Sequence, residues 1–514
     1  MGNLVIVEAS GKAESIRAKL RAIGLSAEVI PTVGHVADNP KRLRPIALDE
    51  ALRETSYEYR PERAALIEKI QRAAFRADRI FIAADDDQEG DAIAYDVSRF
   101  LTPYADRLYR VRLRAITEGE LKESFSGELS QEFEAPARNA MCRRIVDRAI
   151  GATFTKSGDY NAVPVGRVQS ALLCHIDSQA PTVGHFHAAV RLSDGQTYLA
   201  QLPVNSKDSL AQAEAVAKAL ADGRAQVVGS AEAQVAVSRP WSYEDVVGEA
   251  ALRLRLGIDE AAQAFQEAYE RGRVSYPRIR AAAFTPDAVE VAARIAANNR
   301  CGFDPSILPL RSGGGEDSQA HEAPGPVDEE LLLGRPLSVL DLPDAVAVLV
   351  ARNVIECGQK ARVRKVDIVV EGTPLSVSRV IEQPRACWKR PLPERGYVAM
   401  PREVALLRYV AEAGLGRPST VVSHVQKFLQ RGLLEDGIGI SLNERGKRWL
   451  DYAKSVGFSV ESSTRIEAAM AGPIDDAHAR ARDILKEHGM LSAVQGVVRA
   501  AQVAAPDDAC PEPF

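Results

Sequence analysis

Three acidic residues at alternate positions follow a strand-like run in the first quarter of the chain. Residues 79–84 are mostly apolar, and Asp85, Asp87 and Glu89 come directly after them. Carboxylates that converge on the turn after a strand supply the oxygen ligands that Mg²⁺ takes from proteins. Acidic runs are also common in solvated loops, so the spacing alone leaves a metal site and a solvent-exposed loop both open. We expect the next helix to begin at Ala92.

An EF-hand is a third interpretation of the same residues. Asp85, Asp87 and Glu89 match the first, third and fifth positions of a calcium loop. The twelfth position is Asp96, where such a loop needs a bidentate Glu, and the preceding segment is a strand where a helix is required. The EF-hand is therefore disfavoured.

A further carboxylate ends the first apolar run of the chain. Residues 4–7 have the pattern of a buried strand, and Glu8 follows them, with Lys12 one turn later. Parallel strands end at the same edge of a sheet, so Glu8 would lie beside Asp85. A strand-terminal Glu combined with Asp-x-Asp-x-Glu resembles the Toprim fold, which topoisomerases, primases and some nucleases share. That resemblance implies Mg²⁺ and phosphodiester chemistry.

The elements that must position these side chains alternate along the chain. Strand patterns at 4–7 and 79–83 alternate with helical patterns at 13–22, 64–74 and 92–101. Strands that alternate with helices of this length predict βαβ units and a mostly parallel sheet. The later patterns are helical over 135–180, mixed over 185–240, helical over 245–300, strand-like over 362–380 and helical over 402–454, with loops expected at 311–318 and 505–514.

Composition bounds the class of protein. The chain has 514 residues, 46% of them hydrophobic and 26% charged, which is typical of soluble globular proteins and excludes a largely disordered chain. The length predicts roughly three or four domains. With 65 Lys and Arg against 70 Asp and Glu, the net charge is −5. A protein that coats DNA with its whole surface usually has a basic excess, so this charge argues against one.

The cysteines and apolar runs indicate the compartment. Six cysteines lie far apart and form no Cys-x-x-Cys pair, so neither a zinc ribbon nor a disulfide framework is predicted, and a reducing compartment is expected. No apolar run approaches the roughly 20 residues of a membrane span. The first residues also lack the basic region and cleavage site of a secretory signal. We expect a cytoplasmic protein with no membrane partner.

A tyrosine lies among arginines in the middle of the chain. Tyr276 is close to Arg271, Arg273 and Arg278, on a predicted extended segment after a helix. A phenol has a pKa of about 10 and is a weak nucleophile. Its attack on a phosphodiester needs cations that stabilise the phenolate and the charge on phosphorus. Most Tyr-x-Arg triplets are structural, and the residues alone leave that alternative open.

The segment around Tyr276 resembles the active-site sequence of type IA DNA topoisomerases, where Ile/Val-Thr/Ser-Tyr-Met/Pro-Arg bears the nucleophile. Further motifs occur in the family's order across nearly the whole chain, which is far more specific than any single match. They are 7–12 (VES..K), 33–38 (VGH..D), 85–94 (DPDREGEAIA), 143–148 (ARR..DR), 166–170 (GRVQS), 319–323 (AHEA) and 416–420 (GRPST). The chain is identified as a member of this family.

The resemblance implies a role for each matching residue. Type IA enzymes cut one DNA strand through a 5′-phosphotyrosine, pass another strand through the break and reseal it. Tyr276 would be the nucleophile, and Arg278 would stabilise the scissile phosphate. Lys12 would stabilise charge, and Glu8 would protonate the leaving 3′ oxygen. His321 would hydrogen-bond near the phosphate, although a lone histidine is more often a satisfied core residue.

Metal and DNA ligands also follow from the resemblance. Mg²⁺ would be held by Asp85, Asp87 and Glu89 and would support religation. The residues implied to bind the entering single strand are Arg143, Asp147, Arg167 and Gln169, and those implied to contact the DNA backbone are Arg417, Ser419 and Thr420. An acidic residue such as Asp147 within an arginine cluster more often orients an arginine than touches phosphate. The segment 416–420 could equally begin a helix, with its hydroxyls as caps. Basic residues between 360 and 395 are a candidate stripe facing duplex DNA, or an ordinary solvated face.

The resemblance implies a multidomain α/β plus α fold, in which a Toprim domain, helical domains and a β-rich arch form a torus without C-terminal zinc ribbons. The partner would be DNA, single-stranded at the active site and duplex in the central hole, in the bacterial nucleoid or on a plasmid, with the protein a monomer. The expected domains are a Toprim domain at 1–125, a helical domain with the single-strand groove at 126–180 and 400–500, a β-rich gate at 181–243 and 355–399, a helical domain with the tyrosine at 244–354, and a flexible tail at 501–514.

Several positions depart from the family pattern. Asp86 and Gln88 replace Pro and Arg, which adds negative charge and removes a cation next to the metal site. Ile279 and Arg280 replace the usual Thr-Asp, so local hydrogen bonds should differ. No phosphate-binding loop motif occurs, and because a phosphotyrosine bond conserves the phosphodiester energy, ATP is unnecessary.

The leading hypothesis is an isomerase that relaxes negative supercoils. Decatenation is possible because Ser-Tyr-Pro-Arg is similar to the decatenating branch of the family. There are two alternatives. A Toprim-type metal nuclease or primase would not need Tyr276. A catalytically weak single-strand-binding relative is disfavoured, because Glu8, Lys12, the three acidic residues, Tyr276 and Arg278 are all present.

Overall fold

The computed structural model describes residues 2–114, 116–127, 129–156, 162–310, 322–390 and 394–504. The chain divides into two compact units. Unit 1 consists of Met1–Cys174 together with Arg448–Phe514, and unit 2 consists of His175–Lys447. Unit 2 is therefore an insertion in the sequence of unit 1. The division into four domains and a tail expected from the sequence stays a prediction. Within the described residues, no helix is long and apolar enough to cross a membrane.

A four-stranded parallel sheet forms the N-terminal part of unit 1, with the order β2-β1-β5-β6. The parallel sheet expected from the βαβ pattern is confirmed. Residues 4–7 are all buried, because helices cover both faces of a parallel sheet and leave no alternating polar face. The strands are β1 (Gly2–Val7), β2 (Ala27–Pro31), β5 (Ala77–Asp85) and β6 (Leu108–Leu113), and a separate two-stranded ribbon consists of β3 (Ala37–Asp38) and β4 (Glu58–Tyr59).

Within the described ranges, nine helices begin in unit 1. The longest, α5, runs along residues that the sequence predicts as helical, and α16 packs against it. Their bounds are α1 (Ser10–Ala22), α2 (Ala64–Arg76), α3 (Gln88–Phe100), α4 (Glu118–Ser126), α5 (Glu134–Phe154), α6 (Arg167–Ser178), α15 (Ser462–Ala469), α16 (Ala477–Glu487) and α17 (Leu491–Ala504). A core of aliphatic side chains, including Ile6, Ile80 and Val97, fills the space between sheet and helices.

Unit 2 contains a six-stranded antiparallel sheet and a set of helices. The sheet order is β12-β7-β8-β11-β10-β9. Helix α7 packs against one face of the sheet, where the buried side chains include Tyr198, Ile368 and Val377. The strands are β7 (Gly184–Arg191), β8 (Thr197–Val204), β9 (Ala225–Ala236), β10 (Lys360–Val370), β11 (Thr373–Glu382) and β12 (Gly396–Ala399). The strand pattern predicted over 362–380 is confirmed as the β10–β11 hairpin.

The helices of unit 2 surround the predicted nucleophile in sequence. Tyr276 lies between α9 and α10, as the break in the helical pattern predicts. The helices are α7 (Lys207–Ala221), α8 (Tyr243–Leu254), α9 (Ile258–Glu270), α10 (Pro286–Asn298), α11 (Leu342–Cys357), α12 (Arg402–Glu412), α13 (Pro418–Gln430) and, crossing into unit 1, α14 (Glu444–Ser455). Short 3₁₀ turns lie at Pro61–Arg63, Thr102–Arg107, Pro305–Ile307 and Leu337–Val339. The multidomain class of α/β sheet, helical regions and β-rich part is thus confirmed.

Candidate active site

Two carboxylates leave the parallel sheet of unit 1 at one edge. Asp85 is the last residue of β5 and is buried. Val7, the last residue of β1, pairs with Ala83, so Glu8 and Asp85 follow neighbouring strands at the same end. Ligand sites of open α/β sheets lie at this carboxyl edge. The structure therefore places these two acids where the sequence predicts them.

The helix after β5 begins earlier than expected. Helix α3 begins at Gln88 and not at Ala92, because the Asp87 carboxylate caps it by accepting a hydrogen bond of 2.6 Å from the Gly90 amide. An Asp cap stabilises a helix by about 1 kcal/mol. Glu89 is consequently a residue of the first helical turn. The interpretation of three carboxylates on one turn was wrong in this respect, since only Asp85 and Asp87 precede the helix.

His35 lies among the acids of this edge and was not singled out as a site residue. Its Nε2 is 3.6 Å from a carboxylate oxygen of Glu89. Burial by itself would lower the pKa of His35, but the hydrogen bond and charge of Glu89, with smaller contributions from Asp96 and Glu8, raise the pKa above its ordinary value. The pKa of His35 therefore depends on the charges of both Glu8 and Glu89. The motif at 33–38 was the signal that could have identified it.

The extra negative charge of Asp86 is compensated by the next strand. Arg112 on β6 is 3.0 Å from the Asp86 carboxylate and 3.1 Å from that of Asp91. On the same strand, the buried guanidinium of Arg110 donates to Asp91 and to the backbone carbonyls of Ala84 and Asp85. Charge-assisted bonds of this kind fix the carbonyl end of β5. The substitution in the family pattern therefore comes with its own counter-charge.

The acidic edge has the donor atoms of a Mg²⁺ site but, among the residues that the structure describes, not a closed arrangement of them. Carboxylates are the right donors for this ion. In the described part of the chain, however, no three His, Cys, Asp or Glu side chains are gathered in an arrangement that could enclose a metal. Mg²⁺ commonly takes one or two carboxylates and completes its shell with water and substrate phosphates. The residues fit a site of that shared kind, and they do not fit a closed protein cage.

In unit 2, the segment that bears Tyr276 is buried and held by backbone pairing. Tyr276 is 2% exposed, and its ring meets the ring of Tyr269 edge-on at 5.5 Å. Ser275 donates its amide to the Gly325 carbonyl at 2.9 Å, and its hydroxyl accepts from the Gly325 amide at 3.0 Å. Val274 forms an isolated bridge with Pro326. The residues after the AHEA motif therefore fix the position of the tyrosine.

The three arginines near Tyr276 have different partners. Arg271 is 2.6 Å from Asp341. Arg273 pairs with Asp328 and with a second carboxylate, in the first turn of α11. Arg278 acts on a second phenol: burial raises the pKa of Tyr243 to about 12, while the charge of Arg278 lowers it. Arg271 and Arg273 are thus structural ion pairs, and Arg278 has a phenol in its electrostatic environment.

Arg280 joins three segments of unit 2. Its Nε donates to Glu244 of α8 at 2.7 Å, and its two Nη atoms donate to the carbonyls of Leu415 and Gly416 at 3.1 Å. The Glu244 side chain is 1% exposed. The Tyr243 amide also donates to the Ile279 carbonyl. The family departure at 279–280 therefore connects the tyrosine segment to α8 and to the residues before Arg417.

The predicted single-strand ligands of unit 1 form an ion-pair cluster with a partner that the sequence did not indicate. Arg143 makes a bidentate pair with Glu467 at 2.7 and 2.6 Å. Arg167 binds the same carboxylate at 2.6 Å and donates to Asp147 at 3.0 Å. Burial opposes the charge of Arg167, but the carboxylates of Asp147 and Glu467 raise its pKa. Asp147 orients an arginine, as the sequence suggested.

The remaining predicted DNA ligands have different settings. Gln169 is buried in α6, next to Arg167. Arg417 is the N-cap residue of α13 and Pro418 is its first residue, so Ser419 and Thr420 lie inside the first turn and do not cap it. The Thr420 hydroxyl lies 3.4 Å from the Arg417 carbonyl. A helix start is thus observed, without the hydroxyl caps considered above.

Some predictions fall on residues outside the described ranges. His321 and the expected loop at 311–318 lie there, as does the tail at 505–514. Lys12 is in the first turn of α1, and its side chain is not among the described ones. In the basic stripe, Arg362 lies near Glu232 and Glu382, and Arg390 is bound to Glu356. These two cations have acidic partners.

Two regions of the chain match models of known protein families. A family model for the Toprim domain matches residues 3–116, and one for DNA topoisomerase matches residues 131–373. Together these two matches indicate a Toprim-containing DNA topoisomerase of type IA. It is similar to DNA topoisomerase 1 of Aquifex aeolicus (strain VF5), with 26% identity over 289 residues, which are 54% of this chain and 52% of that protein. The chain thus spans about half the length of this curated relative.

A solved structure extends the likeness in fold. The full-length topoisomerase I of Thermotoga maritima superimposes with a TM-score of 0.65 at 20% identity, over 96% of this chain and 90% of that one. At this identity the likeness concerns the fold.

Proposed function

We propose that this protein is an ATP-independent type IA DNA topoisomerase, which cleaves one DNA strand through Tyr276, passes a strand through the break and reseals it. The single observation that supports this most is the setting of Tyr276. A fully buried tyrosine is fixed by backbone pairing of its neighbour, is followed two residues later by Arg278, and lies within the region matched by the topoisomerase model.

The chemistry balances without a cofactor that supplies energy. The Tyr276 hydroxyl gives its proton to water as its oxygen attacks the scissile phosphorus; a bond forms between the tyrosine oxygen and phosphorus, and the bond to the 3′ oxygen breaks. Glu8 gives its proton to that oxygen, and Arg278 and Lys12 stabilise charge on the phosphate. Religation reverses each step, so no bond energy is lost. Because Tyr276 is 2% exposed, binding of DNA has to open access to its hydroxyl.

The acidic edge of unit 1 has a supporting role in this proposal. Asp85 and Asp87, with Glu89 on the first helical turn, would hold Mg²⁺ jointly with DNA phosphate and water. The ion would supply charge that keeps the broken ends in the geometry for religation. Arg143, Arg167 and Gln169 would contact the entering strand, with Asp147 as a positioning residue. Arg417 and Ser419 at the start of α13 would add backbone contacts, and the helix N-terminus itself favours phosphate.

The test uses negatively supercoiled plasmid with Mg²⁺ and no ATP, and compares the wild type with Tyr276→Phe. We expect stepwise relaxation and a covalent adduct on the 5′ phosphate for the wild type, and neither for the variant. Tyr198→Phe is the matched control, because it removes the hydroxyl of another buried tyrosine, on β8. Relaxation by Tyr276→Phe would refute the tyrosine mechanism, and linear or degraded DNA would indicate a Toprim nuclease.

A further inference from the structure

Two cysteines that are far apart in the sequence meet on the surface of unit 2. The Sγ atoms of Cys301 and Cys387 are 3.4 Å apart, although the residues are separated by 86 positions. Cys387 is exposed and Cys301 is partly exposed. Cys142, Cys174 and Cys357 are buried. The pair is therefore the accessible dithiol of the described residues.

The backbone holds both cysteines in place before any reaction. Cys301 follows α10, and the next amide, Gly302, donates to the Arg385 carbonyl at 2.9 Å. The side-chain amide of Gln359 donates to the carbonyls of both Gly302 and Arg385. The two cysteine loops are thus tied together one to two residues away from the thiols. Little ordering of the chain remains to be done when a bond forms between them.

We propose that Cys301 and Cys387 are a redox modification site, which low-molecular-weight disulfides such as oxidised glutathione convert to an intramolecular disulfide. The Cys387 thiolate attacks one sulfur of the oxidant, whose S–S bond breaks and releases one glutathione. The Cys301 thiolate then attacks the Cys387 sulfur of the mixed disulfide and releases the second glutathione. The two protein thiols lose two electrons and two protons, and both go to the two glutathione thiols.

The environment of the pair sets the rate of this exchange. Partial burial, and then the hydrogen bond with Cys301, raise the pKa of Cys387 to about 11. The thiolate is the attacking species, so the exchange is slow at neutral pH. Its rate should rise about tenfold per pH unit as long as the pH stays well below the pKa. In a reducing compartment the pair remains a dithiol, and an oxidising excess closes it.

The disulfide would close a ring that contains α11, β10 and β11. It would fasten the loop after α10 to the segment that follows β11, and so join the helical part of unit 2 to its sheet. A covalent link across a loop of this length restricts the unfolded chain. A rise of about 5–10 °C in the unfolding temperature of unit 2 is expected, reversed by dithiothreitol.

The test is peptide mapping of full-length protein in which Cys510, outside the described residues, is replaced by Ser. The protein is incubated with oxidised glutathione at pH 8, alkylated and digested without reduction. We expect a peptide pair linked through Cys301 and Cys387, with little glutathione retained. The Cys301→Ser control should keep a stable glutathione adduct on Cys387. Adducts of equal amount and lifetime in both proteins would overturn the proposal. So would modification of Cys387 only after denaturation. Neither readout depends on topoisomerase activity.

Discussion

Replacement of Arg280 should reveal how strongly the tyrosine segment is fastened to its neighbours. Arg280→Met removes the guanidinium that binds Glu244 and the carbonyls of Leu415 and Gly416. Glu244 is 1% exposed, and its Oε2 has no hydrogen-bond partner among the described residues. The variant therefore leaves a buried, uncompensated carboxylate. Removal of one partner from a buried ion pair costs about 3–5 kcal/mol.

The magnitude is reduced because the pair is not buried on both sides. Arg280 is 27% exposed, so water screens part of its charge, and we expect a loss of about 3 kcal/mol in the free energy of unfolding of unit 2. Glu244→Gln leaves that partly exposed guanidinium without its carboxylate and should cost about 1 kcal/mol. The double variant has no buried charge and should cost less than the sum, with a coupling of about 1.5 kcal/mol.

Urea unfolding monitored by tryptophan fluorescence measures these values, because Trp241 lies just before α8. The wild type, both single variants and the double variant form the cycle. Single-variant losses that add to within about 0.5 kcal/mol would refute the reasoning, since they would mean that the two charges do not interact. Arg280→Lys is a useful fourth variant. It keeps the charge and loses the fork that reaches both carbonyls, so it should recover only part of the stability.

The other predictions concern unit 1. Glu467→Gln removes the carboxylate that occupies Arg143 and Arg167, so single-stranded DNA should bind several-fold more tightly, with a steeper salt dependence in fluorescence anisotropy; unchanged affinity would contradict a DNA role for these arginines. Gly90→Ala places a Cβ 2.2 Å from the Asp85 carbonyl oxygen and should cost about 1–3 kcal/mol in urea unfolding, whereas Gly119→Ala, which meets open space, should be nearly neutral. Chelation of Mg²⁺ should stop relaxation, and Asp87→Ser, which can still cap α3, should require more Mg²⁺ than the wild type; equal rates with and without chelator would exclude the metal role.

The sequence was informative where local pattern determines structure. The all-buried run at 4–7 and the apolar run before Asp85 predict parallel strands, and the alternation of elements predicts where their ends meet. It failed at the start of α3, because residues 88–91 are polar and show no apolar periodicity. The capping rule, which favours Asp followed by acidic residues in the first turn, was the better signal there.

Contacts between distant residues were beyond such patterns. Glu467 lies 324 positions from Arg143, and nothing in its own helix marks it as the partner of two arginines. The pairing of Asp86 with Arg112 depends on which strand lies beside β5. The meeting of Cys301 and Cys387 likewise depends on how two loops of unit 2 fold. Such pairings are set by tertiary packing and not by spacing along the chain.

The division of the chain has a consequence for its synthesis on the ribosome. Unit 1 begins at the N-terminus, but its last part follows residue 447, so about 270 residues of unit 2 are made in between. At about 5–20 residues per second this takes roughly a quarter of a minute to a minute. During that time α5 lacks the helix α16 that packs on it, and Arg143 and Arg167 lack Glu467. The nascent N-terminal part therefore exposes an incomplete surface until the final helices emerge.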